Sequence, residues 1–411
     1  MLTDVVVIGA GVSGLTCGKR VSEAGLDVTV LEARERIGGR IRTFYPADGS
    51  PGLELGAQVI HGGRDPLYAL DLELRLVPRA AQARVIIGGQ LSPLGALAAA
   101  GRPPWVLEGM LAASGGGEMT VAEWLDIAAP GRGGPAARLG RRAAAEWFRQ
   151  NWAADPADLD AGGVARGLRA DAVPGDRSEF LPADGYAALP ARLAAGLTIK
   201  LGCAASTISW VPGEAMVTGG GVSLRARAVV VTVPPQVVTA GRLTLPGLPP
   251  RKRAAAEVLR PGDGCCAVLT MSRPAPRSAV VFDADGGGGF IRCDEGRPEV
   301  LIVAKAAAAA WVRGALRSGE ITGLAGLALP WTQGAAAQIS AVCDWGGDRW
   351  AGGAFTFPVA GAAWAPAAWA EPVADTIFFA GEATCDRPGR VHGAMESGER
   401  AATEVLEVVP R

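Results

Sequence analysis

The sharpest chemistry in the chain lies close to its N-terminus. Gly9-Ala10-Gly11-Val12-Ser13-Gly14 follows an apolar, β-branched run at residues 5–8 and opens a segment of helical spacing, residues 13–24, which Gly25 stops. That is a G-x-G-x-x-G turn between a strand and a helix. Gly9 permits the tight turn, Gly11 lets backbone approach a pyrophosphate, and Gly14 lets helix and strand pack closely, while the first helical turn offers unpaired N–H groups to phosphate. A second β-branched run, residues 28–31, ends in Glu32. A carboxylate about 20 residues beyond the turn accepts hydrogen bonds from ribose hydroxyls and repels a 2′-phosphate. These residue types at this spacing bind a dinucleotide, and NADP is disfavoured.

Other reactive groups are few. The 411 residues include two histidines, His61 and His392, so a histidine-rich metal site is excluded and a Ser-His-Asp hydrolase would have to use one of the two. His392 reads as a structural histidine. The seven cysteines form neither a disulfide framework nor a CxxC pair, and Cys265 and Cys266 are adjacent. No metal is expected. Lysines are scarce, and Lys305 reads as a surface residue whose stem snorkels. With 40 Lys plus Arg against 41 Asp plus Glu, the net charge is -1, which argues against a nucleic-acid-binding surface. A hydrophobic share of 49% describes a folded, core-rich chain, and the wealth of Ala and Gly suggests a high-GC, bacterial genome. No apolar run reaches the ~18 residues of a membrane span. The N-terminus shows no leader pattern, so a cytoplasmic protein is expected.

Periodicity and breakers outline the elements that must hold these groups. Residues 61–190 read as helical and loop-like, with Trp105, Trp124, Trp147 and Trp152 spaced as core anchors and connections at 130–135 and 162–174. Strands are expected at 197–201 and 228–233, then at 267–271, 300–303 and 339–342, with an Ala-rich helix at 306–317. Gly286 to Gly289 reads as a flexible surface turn. Residues 376–380 form a buried strand running into Gly381-Glu382, and a helix over 393–408 follows. A strand and an acid this late in the chain predict a discontinuous nucleotide domain with a substrate domain inserted into it.

Past Glu32 the chain reads Ala33-Arg34-Glu35-Arg36-Ile37-Gly38-Gly39-Arg40-Ile41-Arg42-Thr43. Joined to the glycine-rich turn, this resembles the flavin-containing amine oxidases, the monoamine and polyamine oxidase family. Two further stretches are similar to it. One is Glu54-Leu55-Gly56-Ala57-Gln58-Val59-Ile60-His61-Gly62, followed by Asp65-Pro66-Leu67-Tyr68, nearest the polyamine oxidase branch; the other runs from Phe378 through Gly381-Glu382-Ala383-Thr384 to Gly389-Arg390-Val391-His392-Gly393-Ala394. Weaker family patterns fall at 180–189 and 345–357. The resemblance implies an α/β fold: a two-dinucleotide (Rossmann-like) FAD-binding domain from residues 1–60, 195–250 and 371–411, and a discontinuous α+β substrate-binding domain from 61–194 and 251–370. It implies that FAD lies against Gly9, Gly11, Gly14, Glu32, Ala33, Arg34, Gly39 and Arg40, and against Gly56, Ala57, Gln58 and Val59 along the ring. Ala205 would meet adenine, Gly381 and Glu382 the ribityl–pyrophosphate region, and Val391 and Ala394 the flavin pyrimidine edge. The run Arg34, Arg36, Arg40, Arg42 taken alone reads as a solvated charged turn; beside Gly38-Gly39, Arg40 reads as a phosphate ligand. His61, Phe355 and Arg390 would line the substrate side.

The implied reaction is FAD-dependent oxidation of a C–N bond in an amine, amino acid or amide to an imine, with O2 reduced to hydrogen peroxide; a specialised biosynthetic role is open. The implied partners are that small molecule and O2, with no nucleic acid or membrane, and a homodimer is admissible. A flavin desaturase or isomerase acting on an apolar C–C substrate is the alternative. Two departures from the family stand out. Ala354, in Gly352-Gly353-Ala354-Phe355-Thr356, replaces the cysteine that bonds flavin covalently in monoamine oxidases, and Cys266 stands where the family carries a lysine. Arg390 replaces an aromatic wall, which fits a neutral or anionic group, whereas the His61 motif fits polyamines and predicts an acidic cavity mouth. Noncovalent FAD gives a direct expectation: acid precipitation releases all the flavin to the supernatant, and flavin that stays with the pellet contradicts the reading of Ala354.

Overall fold

The structure is a computed structural model. It describes residues 2–61, 72–76, 82–131, 134–171, 179–385 and 389–410, except the side chains of Leu2, His61, Arg75 and Asp171. Two mixed sheets dominate. The first joins β1 (Leu2–Ile8), β2 (Val28–Leu31), β10 (Thr198–Lys200), β11 (Thr207–Val211), β12 (Glu214–Gly219), β13 (Val222–Val231) and β19 (Ile377–Phe379), in the order β10-β2-β1-β13-β12-β11 with β19 beside β13. The pairs β10–β2, β2–β1, β1–β13 and β13–β19 are parallel. Helices α1 (Val12–Glu23), α7 (Ala188–Ala194) and α13 (Val391–Val408) cover one face, where Val5, Val7, Val30 and Val230 point; α8 (Pro235–Thr239), α9 (Pro250–Val258) and α12 (Ala365–Ala370) cover the other, where Val6, Ile8, Val229 and Val231 point. Burial on both faces explains the unbroken apolar runs in the sequence.

The second sheet follows the order β18-β14-β17-β16-β15-β7-β8. Its strands are β7 (Gln82–Ile87), β8 (Gln90–Pro93), β14 (Gly264–Met271), β15 (Ala279–Asp283), β16 (Phe290–Cys293), β17 (Glu299–Lys305) and β18 (Ala337–Asp344). Its outer face packs on α10 (Ala307–Ser318) and α11 (Ile321–Ala328) through Cys265, Leu269, Ile302 and Ala304. The inner face, carrying Cys266, Val268, Leu301, Val303 and Cys343, meets Leu53 and Leu55. Smaller pairings are β3 (Thr43–Phe44) with β4 (Leu53–Glu54), and β5 (Ile60–His61) and β6 (Leu74–Leu76) on either side of β9 (Glu179–Pro182). A helical layer of α2 (Ala96–Ala100), α3 (Pro104–Ser114), α4 (Val121–Ala128), α5 (Pro135–Trp152) and α6 (Ala161–Asp171) completes the chain. Among the described residues, no helix is long and apolar enough to cross a membrane.

Four expectations need correction. Residues 82–93 form strands, because β7 finds a parallel partner in β15 almost 200 positions away, a pairing no local pattern reveals. Residues 161–171 are helix α6, whose Val164 and Ala165 are fully buried, and not a connection. Trp124 and Trp152 are core residues, but Trp105 is exposed and Trp147 faces a cavity. The Gly286 to Gly289 turn is not a free surface tip: Asp283, itself buried, accepts hydrogen bonds from the Asp285 and Gly287 N–H groups and folds the turn inward.

Lys252 on α9 is buried under the first sheet. Its Nζ donates to the Trp369 carbonyl at 2.7 Å and lies 3.7 Å from the Phe379 ring centre. Burial lowers its pKa from 10.5 to about 7. The unfolded chain therefore binds the extra proton between those values, so stability is highest above 10.5, falls as pH drops towards 7, and levels off below. Wild-type protein should gain up to about 1.4 kcal/mol per pH unit from this group on going from pH 7 to 9.5. Lys252→Met should lose that share of the slope in paired urea titrations; parallel slopes would contradict the assignment.

Candidate active site

One cavity of about 810 Å³ runs between the two sheets. Its nucleotide end starts at the β1–α1 turn. Gly14 packs behind that turn, where a Cβ would collide with the Gly9 carbonyl oxygen, while a Cβ at Gly11 would meet nothing within 4 Å. The α1 N-terminus has Gly11 as its cap residue and no side-chain cap, so its N–H groups stay open towards the cavity. The Glu32 carboxylate is fixed by the Ala10 N–H (2.8 Å) and the Arg34 N–H (2.9 Å). A second helix, α13, also begins at the cavity with no side-chain cap, at Arg390-Val391. Two open helix N-termini on one cavity, beside a fixed carboxylate, fit a group with a pyrophosphate at one place and developing negative charge at another.

Between them lies an ion pair of a buried carboxylate, Glu382, and a half-buried guanidinium, Arg40. Arg40 Nη1 donates to Glu382 Oε1 at 2.8 Å and to the Ala354 carbonyl at 3.2 Å. Burial works against the Glu382 carboxylate, yet Arg40 and the N–H groups of Gly389 and Thr356 hold its pKa below the usual range. Arg34 is held by Asp348 at 2.6 Å. Arg36 bonds the carbonyls of Ile37, Gly39 and Ile41, and Arg42 Nη1 reaches Cys343 Sγ at 3.8 Å. Arg36 thus clamps its own turn, while Arg34, Arg40 and Arg42 tie that turn to distant segments, Arg42 alone being exposed.

The loop at residues 56–59 crosses the cavity wall. Gln58 Nε2 holds it by bonding the Glu54 and Gly56 carbonyls, and Trp345 Nε1 bonds the Leu55 carbonyl at 2.7 Å. Trp147, Phe290 and Phe355 supply aromatic wall at the far end, with Val280, Leu301 and Val303. Gly389 allows its backbone to lie against the Phe355 ring, which a Cβ would strike. Polar groups there are Glu108, Asn151, Glu179, Arg292, Lys305 and Arg390. Burial raises the pKa of both Glu108 and Glu179, and Asn151 Nδ2 donates to Glu108 at 3.1 Å.

Lys305 is the main correction to the sequence reading. It is a cavity residue, not a surface lysine. Alternation along β17 puts Leu301, Val303 and Lys305 on one face, and cross-strand pairing of Val303 with Cys266 brings that face beside the cysteine. Gln150 of α5 fixes it with three bonds: Lys305 N–H to Gln150 Oε1, Gln150 Nε2 to the Lys305 carbonyl, and Lys305 Nζ to the Gln150 carbonyl at 2.7 Å. Burial, and then the charge of Arg390, lower its pKa from 10.5 to about 8, although Cys266 pulls the other way. Glu108 and Asn151 were likewise missed, since nothing marks them in a helix sequence. Of the residues named from sequence, Gly9, Gly11, Glu32, Ala33, Arg34, Gly39, Arg40, Gly56, Ala57, Gln58, Val59, Ala205, Phe355, Gly381, Glu382, Arg390, Val391 and Ala394 line this one cavity. The His61 side chain and residues 65–68 lie outside the described residues.

A doubly covered, largely parallel sheet with an open cradle at its first turn, joined to a second sheet over a shared cavity, defines a dinucleotide-binding protein of two-sheet build. The chain matches the flavin containing amine oxidoreductase family over residues 12–85 and 118–406, and belongs to it. Its cofactor is FAD. Among solved structures, cyclohexylamine oxidase from Brevibacterium oxydans is 21% identical with a TM-score of 0.77, each chain covered in full (100%). Putrescine oxidase bound to putrescine is 18% identical with a TM-score of 0.74 over 99% of both chains, and likenesses at this level establish the fold. Among curated proteins, a probable polyamine oxidase 4 of Arabidopsis thaliana is 52% identical over 62 residues, a match covering 15% of this chain and 12% of that protein.

Removing Arg40 tests the nucleotide end. Arg40→Met leaves the Glu382 carboxylate buried without its cation, which should cost about 3 kcal/mol in urea unfolding and lower the flavin-to-protein ratio on purification. Unchanged stability and full flavin content would show that the pair holds nothing together.

Proposed function

We propose that this protein is an oxidase of amines: it takes a hydride from the carbon bearing nitrogen, yields the imine, and passes the electrons to O2 with release of hydrogen peroxide. One observation carries the reading: a single cavity joins the dinucleotide cradle to an aromatic pocket holding a half-buried lysine, Lys305. FAD, when bound, supplies the hydride acceptor. Gly9, Gly11 and the α1 N-terminus would hold its pyrophosphate, Glu32 with Ala33 and Arg34 the ribose, and Ala205 the adenine. Gly39, Arg40, Gly56 to Val59, Gly381 and Glu382 would line the rest, and Val391 and Ala394 would bring the α13 N-terminus to the ring. With Ala354 in place of a cysteine, the cofactor is noncovalent. In this reading, residues 1–60, 195–250 and 371–411 form the FAD-binding domain and 61–194 with 251–370 the substrate domain.

The chain's own residues then handle position and protons. Phe355, Trp147 and Phe290 pack the apolar body of the substrate and exclude water. A C–H bond leaves as hydride only when the neighbouring nitrogen has its lone pair free. Lys305, with a pKa lowered to about 8, accepts the proton of the incoming ammonium. The pocket's basic side chains, Arg292, Lys305 and Arg390, outnumber its carboxylates, Glu108 and Glu179, and oppose a polycationic substrate, so the reading favours a monoamine with an apolar remainder over a polyamine. A second reading, an amine that also carries a carboxylate, is supported by the hydrogen bonding of Lys305 Nζ, whose acceptor among the described residues is a neutral carbonyl. All seven cysteines are free, which supports a reducing, cytoplasmic location.

Anaerobic mixing of the FAD-loaded protein with monoamines, amino acids, N-acyl amines and polyamines tests this directly. Monoamines or amino acids should bleach the flavin band, and air should restore it with one peroxide per imine. Flavin that no amine bleaches would overturn the reading in favour of a C–C desaturase. For Lys305, kcat/KM should rise with pH through a limb near 8 as the amine loses its proton, and Lys305→Met should lose that limb while keeping its flavin. A limb that survives the exchange would assign it elsewhere.

A further inference from the structure

Beneath the cavity two thiols face each other. Cys266 of β14 and Cys343 of β18 occupy directly opposed positions in an antiparallel pair. Both belong to the inner face of the second sheet, in one cluster with Val268, Leu301 and Trp345. Directly opposed residues in such a pair have Cα atoms about 4.5–5.5 Å apart, and a disulfide accepts about 4.4–6.8 Å, so the strands need not move to be joined. The irregularity in this pairing falls between Val268 and Leu269, past the cysteines. Each thiol is free and buried, and each has a cation beside it: Arg42 Nη1 lies 3.8 Å from Cys343 Sγ, and Lys305 stands on the same face next to Cys266. Cys266 lines the cavity, so a small oxidant formed or held there reaches it without crossing the core.

We propose that Cys266 and Cys343 are a redox pair, joined reversibly to a disulfide by peroxide that enters or arises in the cavity. The proposal rests on the oxidase reading only for the source of that peroxide. The sulfur of Cys266 attacks one peroxide oxygen, the O–O bond breaks, and the products are a sulfenic acid and one water. Cys343 sulfur then attacks the sulfenic sulfur, the S–O bond breaks, and a second water leaves with the two thiol protons accounted for. Two thiols lose two electrons and hydrogen peroxide takes them. Burial holds both thiols above their usual pKa, which makes the first step slow in bulk terms; Lys305 and Arg42 offset this locally. Cys265 offers an internal control. It sits one residue away but on the opposite face, across from Asp344, with no cysteine opposed to it.

The bond has a consequence for the pocket. It ties β14 to β18 under the substrate and removes the Cys266 S–H beside Lys305. An enzyme that accumulates its own product would then change the surroundings of its cavity amine, and a dithiol reductant would restore them.

The test uses the FAD-loaded protein in the dark with added hydrogen peroxide and no amine, followed by N-ethylmaleimide and mass analysis under non-reducing conditions. The expected result is two fewer maleimide adducts than the untreated protein carries after denaturation, and one linked peptide containing Cys266 and Cys343 that dithiothreitol separates. Cys265→Ser should keep that link. Cys343→Ser, checked for native flavin absorbance, should instead give dimedone-reactive sulfenic acid at Cys266. Both cysteines fully alkylated after peroxide, or Cys266 driven to sulfinic acid with Cys343 present, would overturn the proposal. A link formed by added peroxide in a protein whose flavin no amine bleaches would overturn the oxidase reading and leave the thiol pair standing.

Discussion

The molecule is organised around one buried carboxylate. Glu382 accepts from Arg40, 342 positions earlier, from the N–H and hydroxyl of Thr356, and from the N–H of Gly389. A charge buried this deeply is tolerable only when every lone pair has a donor. Four distant segments are therefore obliged to meet at one point: the turn after β2, the segment carrying Ala354 and Phe355, the end of β19, and the entry to α13. Those same segments line the cavity from the nucleotide cradle to the aromatic pocket. The ion pair fixes the distance between the two ends of the site.

The opposite end relies on a neutral anchor. Gln150 and Lys305 exchange three hydrogen bonds across the gap between α5 and β17, so the amine is held without a carboxylate among the described residues. A salt bridge would have raised the lysine's pKa; a carbonyl acceptor leaves desolvation in charge and lowers it. The site thus has a well-paired charge at its nucleotide end and a weakly paired one in its aromatic pocket.

Much of the first sheet could be read from the chain because its physics is local. The turn from Gly9 to Gly14, the doubly buried runs of β1, β2 and β13, and the acid at Glu32 each carry a periodicity or a spacing. The second sheet hides its logic. β17 is apolar on both faces, so nothing in Glu299–Lys305 says which face looks into the cavity, and Lys305 passed for a surface residue. Its anchor Gln150 is 155 positions away. Glu108 and Asn151 sit on helices where a polar residue ordinarily means solvent, and only the packing of α3 on α5 and α6, and of α5 on β17, turns them inward. At the cavity, what failed to show was a contact made at long range.

The first sheet also has a history in time. Its strands come from three separated parts of the chain, and β19, at Ile377–Phe379, pairs with β13 as the last strand of the sheet's parallel run. Synthesis at about 5–20 residues per second places roughly 7–30 s between the emergence of β13 and the arrival of β19. During that interval residues 229–231 present a bare strand edge of uninterrupted valine. Such an edge is a template for pairing with another copy. That edge therefore stays open until β19 has emerged, and pairing between neighbouring nascent chains competes with completion of the native sheet during that time.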